Sequence, residues 1–199
     1  MKSRLALSQA ALATAVLSAS PAFAHLDPAG HGSFAVGASH PVFGPDHILA
    51  MVAVGLWAVV QARRSGLRRA LWLLPTAFVG AMTFGFLLAM AGVGLPMVEP
   101  MILASVMVLG GMTALALRLP LAAAAAVTGL FALFHGHAHG AEIGAATALP
   151  YLAGFALSTA LLHAAGVAGG MALAQRSPAL TRLLGAGVAL AGTALVLAG

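Results

Sequence analysis

Side chains able to hold a cation fall in three places along this chain, each beside or inside a long apolar run. The first is His40-Pro-Val-Phe-Gly-Pro-Asp46-His47, which leads straight into Ile48-Leu49-Ala50-Met51. The second is His135-Gly136-His137-Ala138-His139-Gly140-Ala141-Glu142, at the end of another apolar run. The third is a single His163 within a further run. Ionisable groups at membrane depth are costly and normally face a bundle interior, a cavity or an ion path. Imidazole and carboxylate together suit divalent transition metals such as nickel, cobalt, copper and zinc. The sequence has no cysteine, which excludes disulfides, thiolate metal sites and thiol redox chemistry.

Spacing sharpens this chemistry. Pro45 suits the first turn of a helix, where its missing N–H is not needed, so Asp46 and His47 are expected in that turn. The helix dipole favours a carboxylate there and opposes a cation. Asp46 therefore either orients an imidazole or supplies the charge a bound cation needs. His47 and Met51 are four apart and share a face. His40, just before Pro41, is expected in a non-helical lead that folds back toward His47. His135 and His139 share a helix face, and Glu142 stays on it if the helix continues, whereas His137 points away. The two clusters are expected to form one shared metal site or two adjoining ones. His163 would lie deeper, as a ligand or as a hydrogen-bonded packing residue. Each cluster could instead be a polar network that ties down an interfacial loop. Their density and their number favour ligation.

Composition fixes the elements that must position these groups. The chain is 61% hydrophobic and 7% charged, with a mean hydropathy of +1.03. A soluble domain carries about 25% charged residues, so the expectation is an all-α, polytopic membrane helix bundle. Lys2 and Arg4, an apolar stretch and Ala22-Phe23-Ala24 read as a secretory signal peptide over residues 1–24. Its removal would leave His25 with a free amino group and imidazole. Residues 25–44 then form an extracytoplasmic arm bearing metal ligands, irregular over Asp27–Ser39. Residues 45–199 form a domain of six transmembrane helices, at approximately Pro45–Val60, Ala70–Val93, Met97–Leu117, Pro120–His139, Leu149–Ala174 and Ala179–Leu197. Glycines within these runs signal close helix packing.

The formal charge of +5 does not point to nucleic acid, because the basic residues sit at segment ends. With the mature N-terminus outside, Arg63, Arg64, Arg68, Arg69, Arg118, Arg176 and Arg182 all fall inside. The histidine clusters, Glu99 and Glu142 fall on or near the outer side. No Walker motif is present, so ATP does not drive transport within this chain. An inside-negative potential favours cation entry by ~2.3 kcal/mol per charge per 100 mV.

The pattern His40-Pro-x-x-Gly-x-Asp46-His47-x-x-Ala-Met51, the His-Gly-x-Ala-His-Gly-x-Glu stretch, Leu162-His163-x-x-Gly166 and the signal segment resemble the HupE/UreJ family of bacterial membrane proteins. The resemblance covers the whole mature chain. That family is associated with nickel, and in some members cobalt, supply to hydrogenase, urease or cobalamin-linked metabolism. The resemblance implies functional roles for His40, Asp46, His47, His135 and His139. The first motif is also loosely similar to the His-x-x-x-x-Asp-His signature of nickel/cobalt permeases, one residue longer here.

The expected activity is secondary import of a divalent metal, Ni(II) before Co(II), across the bacterial inner membrane, with the metal as cargo and no permanent cofactor. The expected metal residues are His40, Asp46, His47, His135, His139, Glu142, His163 and His25. Expected partners are the metal ion and the lipid bilayer, with a homo-oligomer compatible and neither ATP nor nucleic acid involved. No enzyme activity is expected. Two alternatives differ in class: a histidine-rich diiron membrane enzyme, disfavoured by the few carboxylates, and a metal receptor serving another permease.

Overall fold

The computed structural model describes residues 31–198. The signal segment 1–24, His25 and the start of the arm lie outside the described residues. Among those described, seven α-helices account for nearly all the chain: α1 Ser33–Phe43, α2 Pro45–Ser65, α3 Ala70–Met90, α4 Val98–Ala114, α5 Leu121–Ala141, α6 Ala148–Arg176 and α7 Pro178–Ala198. Five of them (α2, α3, α5, α6 and α7) are long and apolar enough to cross a membrane. The apolar α4 is shorter, at 17 residues, or about 25 Å at 1.5 Å per residue.

Helix α1 corrects the expectation of an irregular arm. The chain is helical from Ser33, and His40 lies in the last turn of α1 rather than in a non-helical lead. Gly37 and Pro41 both suggest a loop, but each has a helical use here. A methyl group at Gly37 would overlap the backbone of Tyr151, so this glycine lets α1 lie against α6. Pro41 is inside α1, whose axis ends two residues later at Phe43.

The start and end of α2 follow its sequence. Pro45 occupies the first turn with Asp46, Arg63 and Arg64 lie in the last turn, and Gly66 ends the helix at φ 72°. Acid at the N-terminus and base at the C-terminus both complement the helix dipole. This helix is also the centre of the bundle. Its apolar window is 72% buried, against 22% for that of α7, and it packs on α6, α4 and α3. Trp57 donates to the Leu117 carbonyl at 3.3 Å. The Gln61 amide both donates to the Leu119 carbonyl and accepts from the Leu119 N–H. One end of α2 is thereby bound to the α4–α5 connection.

Interhelical contacts give the bundle a polarity. His47 meets His139 while Gln61 meets Leu119, so α2 and α5 run antiparallel. Gly55 abuts His163 and Gly166, with Met51 also against His163, so α2 and α6 run in the same direction. The histidine end and the arginine end are thus opposite ends of the bundle.

Candidate metal centre

The two sequence clusters meet at one end of the bundle core. His47, from the first turn of α2, and His139, from the last turn of α5, place their Nε2 atoms 2.6 Å apart. Both side chains are buried, at 7% and 2% exposure. Asp46 sits behind the first imidazole, its Oδ1 2.9 Å from His47 Nδ1. A carboxylate beside Nδ1 favours the tautomer protonated there, which leaves the Nε2 lone pair facing His139. The hydrogen-bonded pair then requires His139 Nε2 to carry its own proton.

His40 reaches the same place from the last turn of α1. Its ring centroid lies 4.4 Å from that of His139 and 6.0 Å from that of His47. His135, one turn deeper on α5 and fully buried, lies 5.3 Å from His47. Its Nδ1 donates to the Phe131 carbonyl at 3.0 Å, which leaves Nε2 bearing a lone pair with no hydrogen-bond partner among the described residues.

His163 has the same arrangement further in. It is fully buried, and its Nδ1 donates to the Met51 carbonyl at 2.7 Å. Its Nε2 likewise lacks a partner among the described residues. The approach is possible because Gly55 and Gly166 bring the two backbones together, where a methyl on either would strike the opposite helix. The Phe78 ring lies between the two deep histidines, 5.4 Å from His135 and 4.9 Å from His163. From the bundle end inward, the order is His40, His139, His47, His135, Phe78 and His163.

Not every candidate joins this column. Glu142 does not extend the face of His135 and His139. Helix α5 stops at Ala141, and Glu142 follows as an exposed cap residue. Glu99, in the first turn of α4, lies within electrostatic reach of both Glu142 and Asp46. The three carboxylates therefore make an acidic rim above the imidazoles. His137 turns away from the column, as its spacing requires, and its Nε2 donates to the Val93 carbonyl at 2.7 Å. His25 lies outside the described residues.

Sequence reasoning missed the wall opposite the histidines. Tyr151, Phe155, Thr159 and His163 follow one another at four-residue steps along α6, all buried. Phe155 packs on the His139 ring at 4.3 Å, and Thr159 donates to Met82 Sδ at 3.7 Å. The signal was present as a period-four ladder, hidden because three of its four members look like ordinary core.

Among the described residues no three His, Asp or Glu side chains already surround a common point as a metal shell. The His47–His139 distance explains the difference. Two imidazoles on one ion at metal–nitrogen distances of about 2.0–2.1 Å stand roughly 3–3.4 Å apart. The observed pair is closed at 2.6 Å, and admitting a cation requires the rings to part by a few tenths of an ångström with an Nε2 lone pair free on each.

Over residues 12–195 the chain matches the family described as HupE / UreJ protein. It is 41% identical over 177 residues to Protein HupE of Rhizobium leguminosarum bv. viciae, an alignment covering 88% of this chain and 90% of that protein. No solved structure matches the chain.

Proposed function

This chain belongs to the HupE/UreJ family, and from that premise we propose that it is a secondary, ATP-independent importer of Ni(II), with Co(II) as the second candidate cargo. The observation that carries the proposal is the buried His47–His139 pair, brought from two helices and backed by Asp46. A buried imidazole that only stabilises packing finds partners for both of its ring nitrogens. Here two histidines spend their Nε2 atoms on each other, and two more keep Nε2 unpartnered.

In this reading the carboxylates Asp46, Glu99 and Glu142 concentrate a divalent cation at the outer face. The cation separates His47 from His139, and the His139 proton shifts from Nε2 to Nδ1 of the same ring, so that both imidazoles ligate as neutral groups through Nε2. Asp46 stays on Nδ1 of His47, keeping that ring oriented and balancing charge that the α2 dipole would otherwise repel. His40 completes the outer ligand set. His135 and then His163 offer Nε2 lone pairs further along the same line, one on each side of the Phe78 ring. Six spans with the arginine end in the cytoplasm would place the histidine end outside, in keeping with import.

The test is nickel influx into proteoliposomes containing only this protein, driven by an inside-negative potential. Potential-dependent uptake abolished by His47→Ala supports the transporter. Tight metal binding without influx would replace it with the receptor reading, and stoichiometric iron with a diiron spectrum would replace it with the enzyme.

A further inference from the structure

The opposite end of the bundle holds a second concentration of charge that metal import does not use. Arg63 and Arg64 from α2 and Arg182 from α7 line a single cavity of about 420 Å³, whose floor includes Val59, Leu115 and Ala174. Four segments meet there: the C-terminal turns of α2 and α6, the first turn of α7 and the end of α4. That volume is within the usual range for a small-ligand site.

The cavity walls are fixed. Two residues past the end of α4, Ala116 lies at φ 50°, and the turn is closed by bonds from Ala116 N–H to the Thr113 carbonyl and from Leu117 N–H to the Met112 carbonyl. The Ala114 carbonyl accepts from Arg182 Nε at 2.8 Å. That bond anchors the guanidinium while using only one of its five N–H donors. Trp57 and Gln61 hold the following residues from below.

Among the described residues no carboxylate pairs with Arg63, Arg64 or Arg182. Asp46 is at the far end of α2, about 26 Å away at 1.5 Å per residue, and Glu99 and Glu142 share its end. A permanently charged, exposed cluster with apolar walls, at the end of the bundle, leaves its guanidinium donors open to an anion from outside the chain. Guanidinium forks match phosphate oxygens in two-point geometry, and basic pockets between membrane helices recognise lipid headgroups.

We propose that this cavity binds the phosphodiester of an anionic phospholipid, with Arg63, Arg64 and Arg182 on the phosphate and the Val59–Leu115–Ala174 surface against its glycerol and upper acyl chain. The apolar floor favours a lipid over free phosphate. Native mass spectrometry of the full chain in neutral detergent, with phosphatidylglycerol or phosphatidylcholine added, tests this. The expected result is preferential retention of phosphatidylglycerol, lowered roughly tenfold in Arg63→Gln/Arg182→Gln. The double variant Arg69→Gln/Arg176→Gln loses the same charge from the same end without touching the cavity, and should retain the lipid as wild type does. Arg63→Gln/Arg64→Gln keeps the Arg182 bond to Ala114 and gives a second reading if the first variant folds poorly. Equal loss in the cavity and control pairs would reduce the effect to general surface charge and overturn the site. Absence of any lipid preference would also overturn it. Full displacement of the lipid by inorganic phosphate would make it a free-anion site instead.

Discussion

The two ends of α2 treat charge in opposite ways. At the N-terminal end Asp46 is half-buried and touches His47, which is buried and touches His139. At the C-terminal end Arg63 and Arg64 are exposed, with no acidic partner among the described residues. The first end positions its polar groups against one another before any ligand arrives, so a captured ion meets oriented donors. That suits a dilute cation, because ligand geometry set in advance lowers the cost of binding. The second end keeps its charge at the rim, where a headgroup layer can supply the counter-ion in abundance. Preorganisation is concentrated where the ligand is scarce.

The largest expected effect tests this contrast directly. His47→Ala or His139→Ala removes one half of the closed pair, and nickel influx should fall by more than the about 100-fold seen at the upper end for loss of an outer partner. The Arg69→Gln/Arg176→Gln variant should transport like wild type in the same liposomes. If the arginine variant loses as much influx as the histidine variants, the division between a binding end and an anchoring end is wrong. Asp46→Asn comes next. It preserves shape but removes the charge behind His47, and metal affinity measured by calorimetry should drop about 10- to 100-fold. Unchanged affinity would show that Asp46 serves only as a helix-start residue.

Much of this contrast is legible in the sequence. Apolar run lengths and Pro/Gly punctuation place the six later helices, closely for Leu149–Ala174 expected and Ala148–Arg176 observed, and five residues short at the end of Pro45–Val60, which runs on to Ser65. The pairing of the His40–His47 and His135–Glu142 clusters follows from counting helix directions. What escaped was tertiary. Glycine in a short segment reads as flexibility, yet Gly37 is helical and lets α1 lie against α6. Glu142 shares the His139 face only if the helix continues, and spacing cannot say that it stops at Ala141. Phe78, Phe155 and Thr159 carry no ligand chemistry of their own, so only their neighbours reveal where they stand.

A more modest effect separates capture from passage. His163 lies eight residues below Phe155, so about 12 Å deeper along α6, beyond the Phe78 ring. Replacing it by Phe preserves ring volume and removes both nitrogens. Metal binding at the outer pair should persist, while influx falls roughly tenfold, the lower end of what a supporting ligand contributes. Equal influx in wild type and His163→Phe would confine the functional site to the outer histidines and assign His163 to packing alone.

The smallest effect concerns His137, two residues from His139 and just as much a histidine in a dense cluster. Its ring leaves the column and donates to the Val93 carbonyl, joining α5 to the turn after α3. Truncation to Ala leaves that carbonyl without its partner and opens space beside it. The stability loss is then expected at about 1 kcal/mol, the usual net contribution of one hydrogen bond. Influx per folded molecule should stay close to wild type, since no column nitrogen moves. Thermal unfolding in detergent and transport in liposomes measure the two quantities separately. A stable His137→Ala protein with no influx would put His137 on the ion path, and the face-by-face division of α5 would fail. The reverse pattern, lower stability with transport intact, makes neighbouring histidines on one helix turn a scaffold residue and a ligand by orientation alone.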